Sequence, residues 1–435
     1  MSLINDILDK QLVQLPSEIK FCKKCVVSNQ RPRIVFDEES VCGGCKFRYL
    51  KNEAINWGER EQMLQELCNQ YRRNDGSFDV VVPGSGGKDS AMVSHVLKHK
   101  YKMHPLTVTW APFEYTPIGY KNFRNFVKAG FVNLMAWPNA KLHRKLSRIA
   151  FEVMGDAWQP FAFGQYAYAF HIAQKFDIKL VFFGENGEAE YSGDPRVFNL
   201  RGMPFEIWTE QYFKGATIDD LIKVGLEKTK YLTKEDIDEA DLIFYRPPKV
   251  DKLKKSGIEF HWFAYYHKWI PQENYYYAVE NTGFEANPNG RSEGTYSKYA
   301  SLDDQLDGFH YYLAFIKFGI GRCTSDAAHE VRDGHITREE GVSLVKRYDG
   351  EFPREWFKVF LDYLDISEEQ FWMTINKFRS PRIWKRVNGE WRLKSAVYDL
   401  DGTSKEVPIY ASSIPAENKA IANKLYDKSK VYDEE

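Results

Sequence analysis

The sequence predicts an α/β protein built on a doubly wound parallel sheet, with a cysteine ribbon before it and a mainly helical region after it. Three observations carry this expectation. A glycine loop, Gly84-Ser85-Gly86-Gly87-Lys88-Asp89-Ser90, lies between the apolar run FDVVVP (78–83) and a segment, 91–100, where Met92, Val93, Val96 and Leu97 form one helical stripe. Short β-branched or aromatic runs then alternate with helix-period segments as far as residue 266, the pattern of parallel strands joined by crossover helices. Two C-x2-C pairs, Cys22/Cys25 and Cys42/Cys45, precede the first strand.

Taken in order, residues 1–20 read as an amphipathic lead-in with Leu8, Leu12 and Leu15 on one face. The paired cysteines, sixteen residues apart, match a four-thiolate metal site with no open coordination position. Structural zinc is the expectation; an iron–sulfur cluster or unmetallated thiols are the alternatives. Residues 46–77 are charged and helical in period. Strands are expected at 78–83, 105–110 (PLTVTW), 132–137, 179–183 (KLVFF) and 258–266 (IEFHWFAYY), with helices at 120–129 and 161–176 between them. Residues 195–250 read as an insertion with its own helices at 218–226 and 234–240. From Asp303 the pattern is helical: 306–318, 326–333, 337–348 and 353–364, with Thr337 and Glu340 forming a capping box. The charged residues 416–435 are expected to fray. The expected divisions are 1–60, arm and ribbon; 61–282, nucleotide-binding unit; and 283–435, substrate loop and helices.

Composition narrows the function. Aromatic residues make up 15% of the 435, which excludes wholesale disorder. Lys plus Arg number 60 against 61 Asp plus Glu, so no overall basic surface marks a nucleic-acid binder. No apolar run reaches the length of a membrane span, and the opening MSLINDILDKQL has no secretory core. Few, clustered cysteines suit a reducing compartment, and a cytoplasmic enzyme is expected.

The glycine loop is a phosphate cradle by its physics. Free amides and the positive dipole end of the following helix attract an anion, and glycines let the backbone approach it. It is not a Walker A loop, because Asp89 follows Lys88, and Asp89 also occupies the third glycine position of the dinucleotide pattern. Thr109 and Trp110 end a strand and could border an adenosine, although Trp110 equally reads as core. Glu185, at the end of the fourth strand beside Gly184, is the first choice to hold Mg²⁺ or a ribose, with Glu188, Glu190 and Asp194 behind it. His261 reads as a satisfied core histidine, whereas His267 faces the expected ligand edge. In RSEGTYSKY, Arg291 and Lys298 could pair with a substrate phosphate or carboxylate, with Glu293 and Tyr296 beside them.

Ser85-Gly86-Gly87-Lys88-Asp89-Ser90 resembles the SGGxDS signature of the PP-loop, or N-type, ATP pyrophosphatases, of HUP-like fold. Together with the ribbon, GEN at 185, RSEGTYSKYASLDD and FGIGRCTSDAAHEVRDGHITREEGVSLVKRYDG, the chain resembles the N-acetyl sugar amidotransferase family over roughly residues 20–390. Ser40 departs from it, where glycine is expected before the third cysteine. The resemblance implies an ATP-dependent enzyme of surface-polysaccharide or flagellin-glycan biosynthesis that turns an acetamido group of a nucleotide-activated N-acetyl sugar into an acetamidino group. It implies Gly84, Ser85, Gly86, Gly87, Lys88, Asp89 and Ser90 on the ATP phosphates, Lys88, Asp89 and Glu185 in catalysis, Mg²⁺ on Asp89, alone or with Glu185, and structural Zn²⁺ on Cys22, Cys25, Cys42 and Cys45. It also implies ammonia from a separate glutaminase subunit through a cyclase-like channelling partner. A PP-loop tRNA thiolase, or a non-catalytic nucleotide-binding scaffold, is the alternative.

Overall fold

The computed structural model describes residues 7–399 except 113, 203 and 205–211. Residues 416–435, and part of the 195–250 segment, therefore lie outside the described residues. Five strands form one parallel sheet: β1 (Val80–Pro83), β2 (Pro105–Trp110), β3 (Val132–Ala136), β4 (Leu180–Phe183) and β5 (Glu259–Trp262). Their order is β3-β2-β1-β4-β5, with Val80 in register with both Pro105 and Leu180. Strands covered on both faces read as unbroken apolar runs, and Val80, Val81, Val82, Leu180, Val181 and Phe182 are all buried. The expected fifth strand is shorter than the sequence suggests. Its last ladder pair is Phe183 with Trp262, because β4 ends there, and the chain then coils through one helical turn, Phe263–Tyr266.

The helices follow their local chemistry. Helices α1 (Gly43–Tyr49) and α2 (Trp57–Tyr71) lead in from the ribbon, and α3 (Lys88–His99) starts on the glycine loop. Helix α4 (Pro117–Lys128) opens where Thr116 accepts the amide of Gly119 at 2.9 Å, with Pro117 at its first position. Helix α5 (Ala140–Met154), which the sequence reading did not assign, buries Leu142, Leu146, Ile149 and Val153 as one stripe behind an Asn139 cap. Helix α6 (Gln159–Lys175) buries aromatic and small residues on most of its surface.

The 195–250 segment, expected as an insertion with its own helices, has helices at Ile218–Val224 and Glu239–Leu242 and shares the core of the sheet. Ile218, Leu221, Val224, Leu232, Leu242 and Tyr245 pack into the same cluster as Val81, Val181 and the stripe of α5. Beyond β5, the chain forms α7 (Pro271–Thr282), α8 (Asp307–Phe318), α9 (Arg322–Asp333), α10 (Arg338–Tyr348), α11 (Phe357–Leu364) and α12 (Glu368–Asn376). The expected capping box is present: Thr337 accepts the Glu340 amide at 3.2 Å and Glu340 accepts that of Thr337 at 2.7 Å. A hairpin the sequence reading missed, β6 (Trp384–Val387) with β7 (Glu390–Leu393), turns at Asn388-Gly389, both at positive φ. The ribbon shares its core with this region: Cys22, Cys25, Val26, Val27 and Cys42 cluster with Phe309, Ile316, Ala327 and Val345.

Two backbone positions are constrained. Ser40, the departure noted in the ribbon, sits at φ 63°, in the region that favours glycine. Gly86 has φ 88°, and a Cβ there would lie 2.6 Å from Phe123 Cα. Gly86→Ala is therefore expected to cost about 1–3 kcal/mol in a thermal or urea melt, whereas Ser40→Gly is neutral or stabilising.

Candidate active site and cysteine cluster

The sheet order reverses between β1 and β4, and a doubly wound sheet binds its ligand beyond the strand carboxyl ends at such a switch point. A cavity of about 500 Å³ opens there. It is lined by the loop residues Gly84, Ser85, Gly87, Lys88, Asp89 and Ser90, by Thr109 and Trp110 from β2, and by Gly184 and Glu185 from β4. Gly86 does not line it and instead makes the turn against α4.

The loop presents donors. The first main-chain bond of α3 runs from Ala91 to Gly87 at 3.1 Å, so the amides of Lys88, Asp89 and Ser90 precede the helical ladder. No side chain caps this end. A Cβ on Gly87 would meet only Ser85 Oγ at 3.5 Å and Asp303 at 3.9 Å, so the space a side chain would take is open to a phosphate. Lys88 pairs with Asp89 at 2.5 Å, and Asn274 donates to the other Asp89 oxygen at 3.1 Å. Burial, then the Asp89 charge, push the Glu185 carboxyl up to about 7, against the pull of Lys88. A buried carboxyl raised by a neighbouring carboxylate beside a phosphate cradle fits a divalent cation, which would relieve that repulsion.

Thr109 fastens rather than faces: its hydroxyl donates to Gly84 O at 2.6 Å and accepts from Asn133. Trp110 is 5% exposed and packs on Tyr245 and against Gly164, where no Cβ would fit. It is mostly core and only borders the cavity. The reserve carboxylates are engaged in ion pairs: Glu188 with Arg33 at 2.7 Å, Glu190 with Lys51 at 3.2 Å, and Asp194 with Arg196 at 2.7 Å.

The expected substrate loop is placed differently. Arg291 is neutralised by a two-point pair with Glu351 at 2.7 and 2.9 Å, and Glu293 accepts the Glu355 amide at 3.1 Å. Tyr296 and Lys298 line a separate cavity of about 210 Å³ beyond Lys88. His267 lies outside the large cavity, packed on Phe263, and burial lowers its pKa. Arg291, Glu293 and His267 line neither cavity, whereas the cavity of Tyr296 and Lys298 shares Lys88, Tyr299 and Arg322 with the large one. His261 is satisfied by Tyr266 at 2.6 Å and Glu259 at 2.9 Å, as a core histidine should be.

What sequence reasoning missed is the wall that closes the cavity: Tyr299, Asp303, Asp304, Asp307, His310, Tyr311 and Arg322. Ser85 donates to Asp303, whose carboxyl burial pushes up to about 6, and burial with its acidic neighbours takes Asp304 to about 8. His310 is held through Nδ1 by Asp156 at 2.9 Å. The signal for Asp303, Asp304 and Asp307 was three carboxylates within five residues at a helix start, which also reads as ordinary first-turn acid.

The four cysteines converge as their spacing requires. Cys22 and Cys45 sulfurs stand 3.8 Å apart, Cys25 and Cys42 3.6 Å, and all four lie within 4.8 Å of one another. Thiolates about 2.3 Å from a tetrahedral zinc would stand about 3.8 Å apart, so the set fits a structural metal such as zinc. Buried Arg332, from α9, donates to Cys25 and Cys42 at 3.7 and 3.5 Å and to Glu190 O at 2.6 Å. Its charge favours thiolates over thiols.

Two measurements check these sites. Elemental analysis should find about one zinc per chain, and Cys25→Ser should lose it together with several degrees of melting temperature. For Glu185 the folded pKa lies above the unfolded value, so its contribution is full below about pH 4 and is lost as pH rises through about 7. Without Mg²⁺, Glu185→Gln should therefore be more stable than the parent at pH 8 and no more stable at pH 4 in paired urea melts.

Comparison with known proteins finds a likeness in the C-terminal region. Residues 293–398 match a family model described as LPS biosynthesis protein WbpG-like, C-terminal domain. That span carries Tyr299, Asp303, His310 and Arg322, one wall of the large cavity. An uncharacterized protein of Methanocaldococcus jannaschii is 27% identical over 88 residues, 20% of this chain and 31% of that protein, so the chain covers less than a third of that relative's length. Among the described residues no helix is long and apolar enough to cross a membrane. The family match supports a role in lipopolysaccharide biosynthesis.

Proposed function

We propose that the chain is an ATP-dependent amidotransferase that converts the acetamido group of a nucleotide-activated N-acetyl sugar into an acetamidino group for a lipopolysaccharide O-antigen or related surface glycan. The observation that carries this reading is a single cavity with two walls: an SGGKDS phosphate loop with Glu185 on one side, and residues of the LPS-biosynthesis span on the other.

The chemistry needs what these residues supply. An amide oxygen is a very poor leaving group, and adenylation cures that. The acetamido oxygen attacks the α-phosphorus of ATP, an O–P bond forms, the α–β bridge breaks and pyrophosphate leaves. Ammonia then adds to the activated carbon and sheds a proton, and the C–O bond breaks to release AMP with the former amide oxygen. The amides of Lys88, Asp89 and Ser90 hold the departing pyrophosphate, with Lys88 balancing its charge, while the Ser85 and Ser90 hydroxyls, donating to Asp303 and to Gly87 O, fix the loop's shape. Asp89 and Glu185 would hold Mg²⁺, which neutralises phosphate charge when bound. His310, oriented by Asp156, offers Nε2 to the proton that ammonia gives up. No side chain acts as nucleophile, so catalysis is mostly positioning and electrostatics.

Cys68 and Cys323 are buried and outside the cavity, which counts against a sulfur-transfer reading. Ammonia would come from a separate glutaminase through a cyclase-like partner, and the enzyme would work in the cytoplasm, where activated sugars are made. The test is AMP and pyrophosphate release from Mg·ATP and ammonium across UDP- and CMP-linked acetamido sugars. The expected result is AMP release that depends on one sugar, with a product about one mass unit lighter as NH replaces O, and a loss of about 100-fold or more in Lys88→Ala. AMP release that responds to tRNA and a sulfur donor, and to no sugar, would overturn the reading.

A further inference from the structure

A second cavity, of about 390 Å³, joins the first through shared lining residues Lys88, Asp89, Glu185, His310, Tyr311 and Arg322. Its outer wall comes from the ribbon: Arg31, Pro32 and Arg33, in the loop that the cysteine pairs clamp. Six cations line this space, and five of them have carboxylate partners among the described residues. Arg33 pairs with Glu188 at 2.7 Å, Lys317 with Asp9 at 2.8 Å, Arg322 with Asp326 at 3.1 Å, Lys88 with Asp89 at 2.5 Å, and Lys214 with Asp156.

Arg31 is the exception. It makes no ion pair among the described residues; Nη1 donates to Ser325 Oγ at 3.1 Å, the guanidinium lies 5.3 Å from the Tyr191 ring centre, and Nε is buried without a partner. Burial pushes its pKa down to about 10, and the nearby Glu188 charge, already paired with Arg33, offsets this only in part. A half-buried cation without an ion pair of its own gains when an anionic ligand pairs with it. The loop that carries it is fixed: Gln30, 1% exposed, donates to Pro16 O at 3.2 Å, and the Arg31 amide bonds Ser28 O at 3.3 Å.

We propose that Arg31 is the phosphate receptor for the acceptor substrate, binding a phosphate of the nucleotide carrier so that the attached sugar reaches from the ribbon wall toward Lys88 and Glu185. This rests on the function proposed above for the identity of the ligand, and it moves the substrate's anion from the 291–298 loop to the cysteine ribbon. The ribbon then does more than stabilise a short segment: it carries a specificity residue into the active site. A planar guanidinium suits phosphate in two-point geometry.

The test is binding without turnover. UDP and, separately, CMP are titrated calorimetrically into the full chain after its ATP site is filled with Mg²⁺ and α,β-methylene-ATP. One of the two nucleotides should bind, identifying the carrier. Arg31→Ala should weaken it by about 10- to 100-fold, as loss of a charge-assisted hydrogen bond does. Arg31→Lys should recover part of the loss, with zinc content and affinity for the ATP analogue unchanged. If Arg31→Ala loses its zinc or fails to fold, Arg31→Gln, which keeps length and polarity, takes its place with the same expectation. Binding of neither nucleotide by the parent, or equal binding by the variants, overturns the proposal. Arg31-dependent binding with no sugar-dependent AMP release would leave this site standing and remove the amidotransferase reading instead.

Discussion

From β1 the chain winds outward to β2 and β3, and from β4 it winds the other way to β5, so no crossover covers the carboxyl ends of the two central strands. The resulting gap is the constraint on which the site depends. A strand ending there can feed a glycine loop and a helix whose first amides point into the gap. The neighbouring strand end can place one carboxylate, Glu185, opposite them. Asp89, on the first turn of α3, then raises the proton affinity of Glu185, and the loop's lysine opposes it. Helix amides, a lysine and two carboxylates are thus brought to one place by topology before any substrate contact is considered.

Everything around that gap holds it open at the right width. On one side, Arg332 ties the cysteine cluster to the backbone of Glu190, and Lys51 joins Glu190 to Asp333. Gly43 and Gly193 meet so closely that a Cβ on Gly43 would lie 2.0 Å from Gly193 O. The loop after β4 is therefore clasped to the ribbon by buried charges and backbone contact. Buried ion pairs seldom add much net stability, but breaking one leaves an unpaired charge inside, so they specify an arrangement strongly. On the other side, Ser85 is anchored to Asp303 and Thr116 to the same segment, which fixes the helical wall against the loop.

The sequence revealed most where one short segment carries its own physical reason. The glycine loop, the two C-x2-C pairs, the Thr337 capping box and the central strands each depend on neighbours in sequence, and each is where it was expected. The reading failed where partners are distant. Arg291 looked like a free cation until Glu351, sixty residues on, neutralised it. Nothing in the local sequence marks Arg31, and only the arrangement of six cations and five carboxylates from separate segments singles it out. The β5 run was apolar enough to continue, but its partner strand had ended. Asn388-Gly389 was legible as a hairpin turn and was passed over because the surrounding pattern had turned helical.

In the proposed reaction the amide oxygen of the sugar becomes an oxygen of AMP. The most direct measurement uses a substrate sugar carrying ¹⁸O in its acetamido carbonyl, turned over with Mg·ATP and ammonium, with mass spectrometry of the AMP released. One ¹⁸O is expected in the phosphate of AMP and none in pyrophosphate or water. Label recovered in pyrophosphate, in inorganic phosphate or in water, or kept in the sugar product, would contradict adenylation at that oxygen.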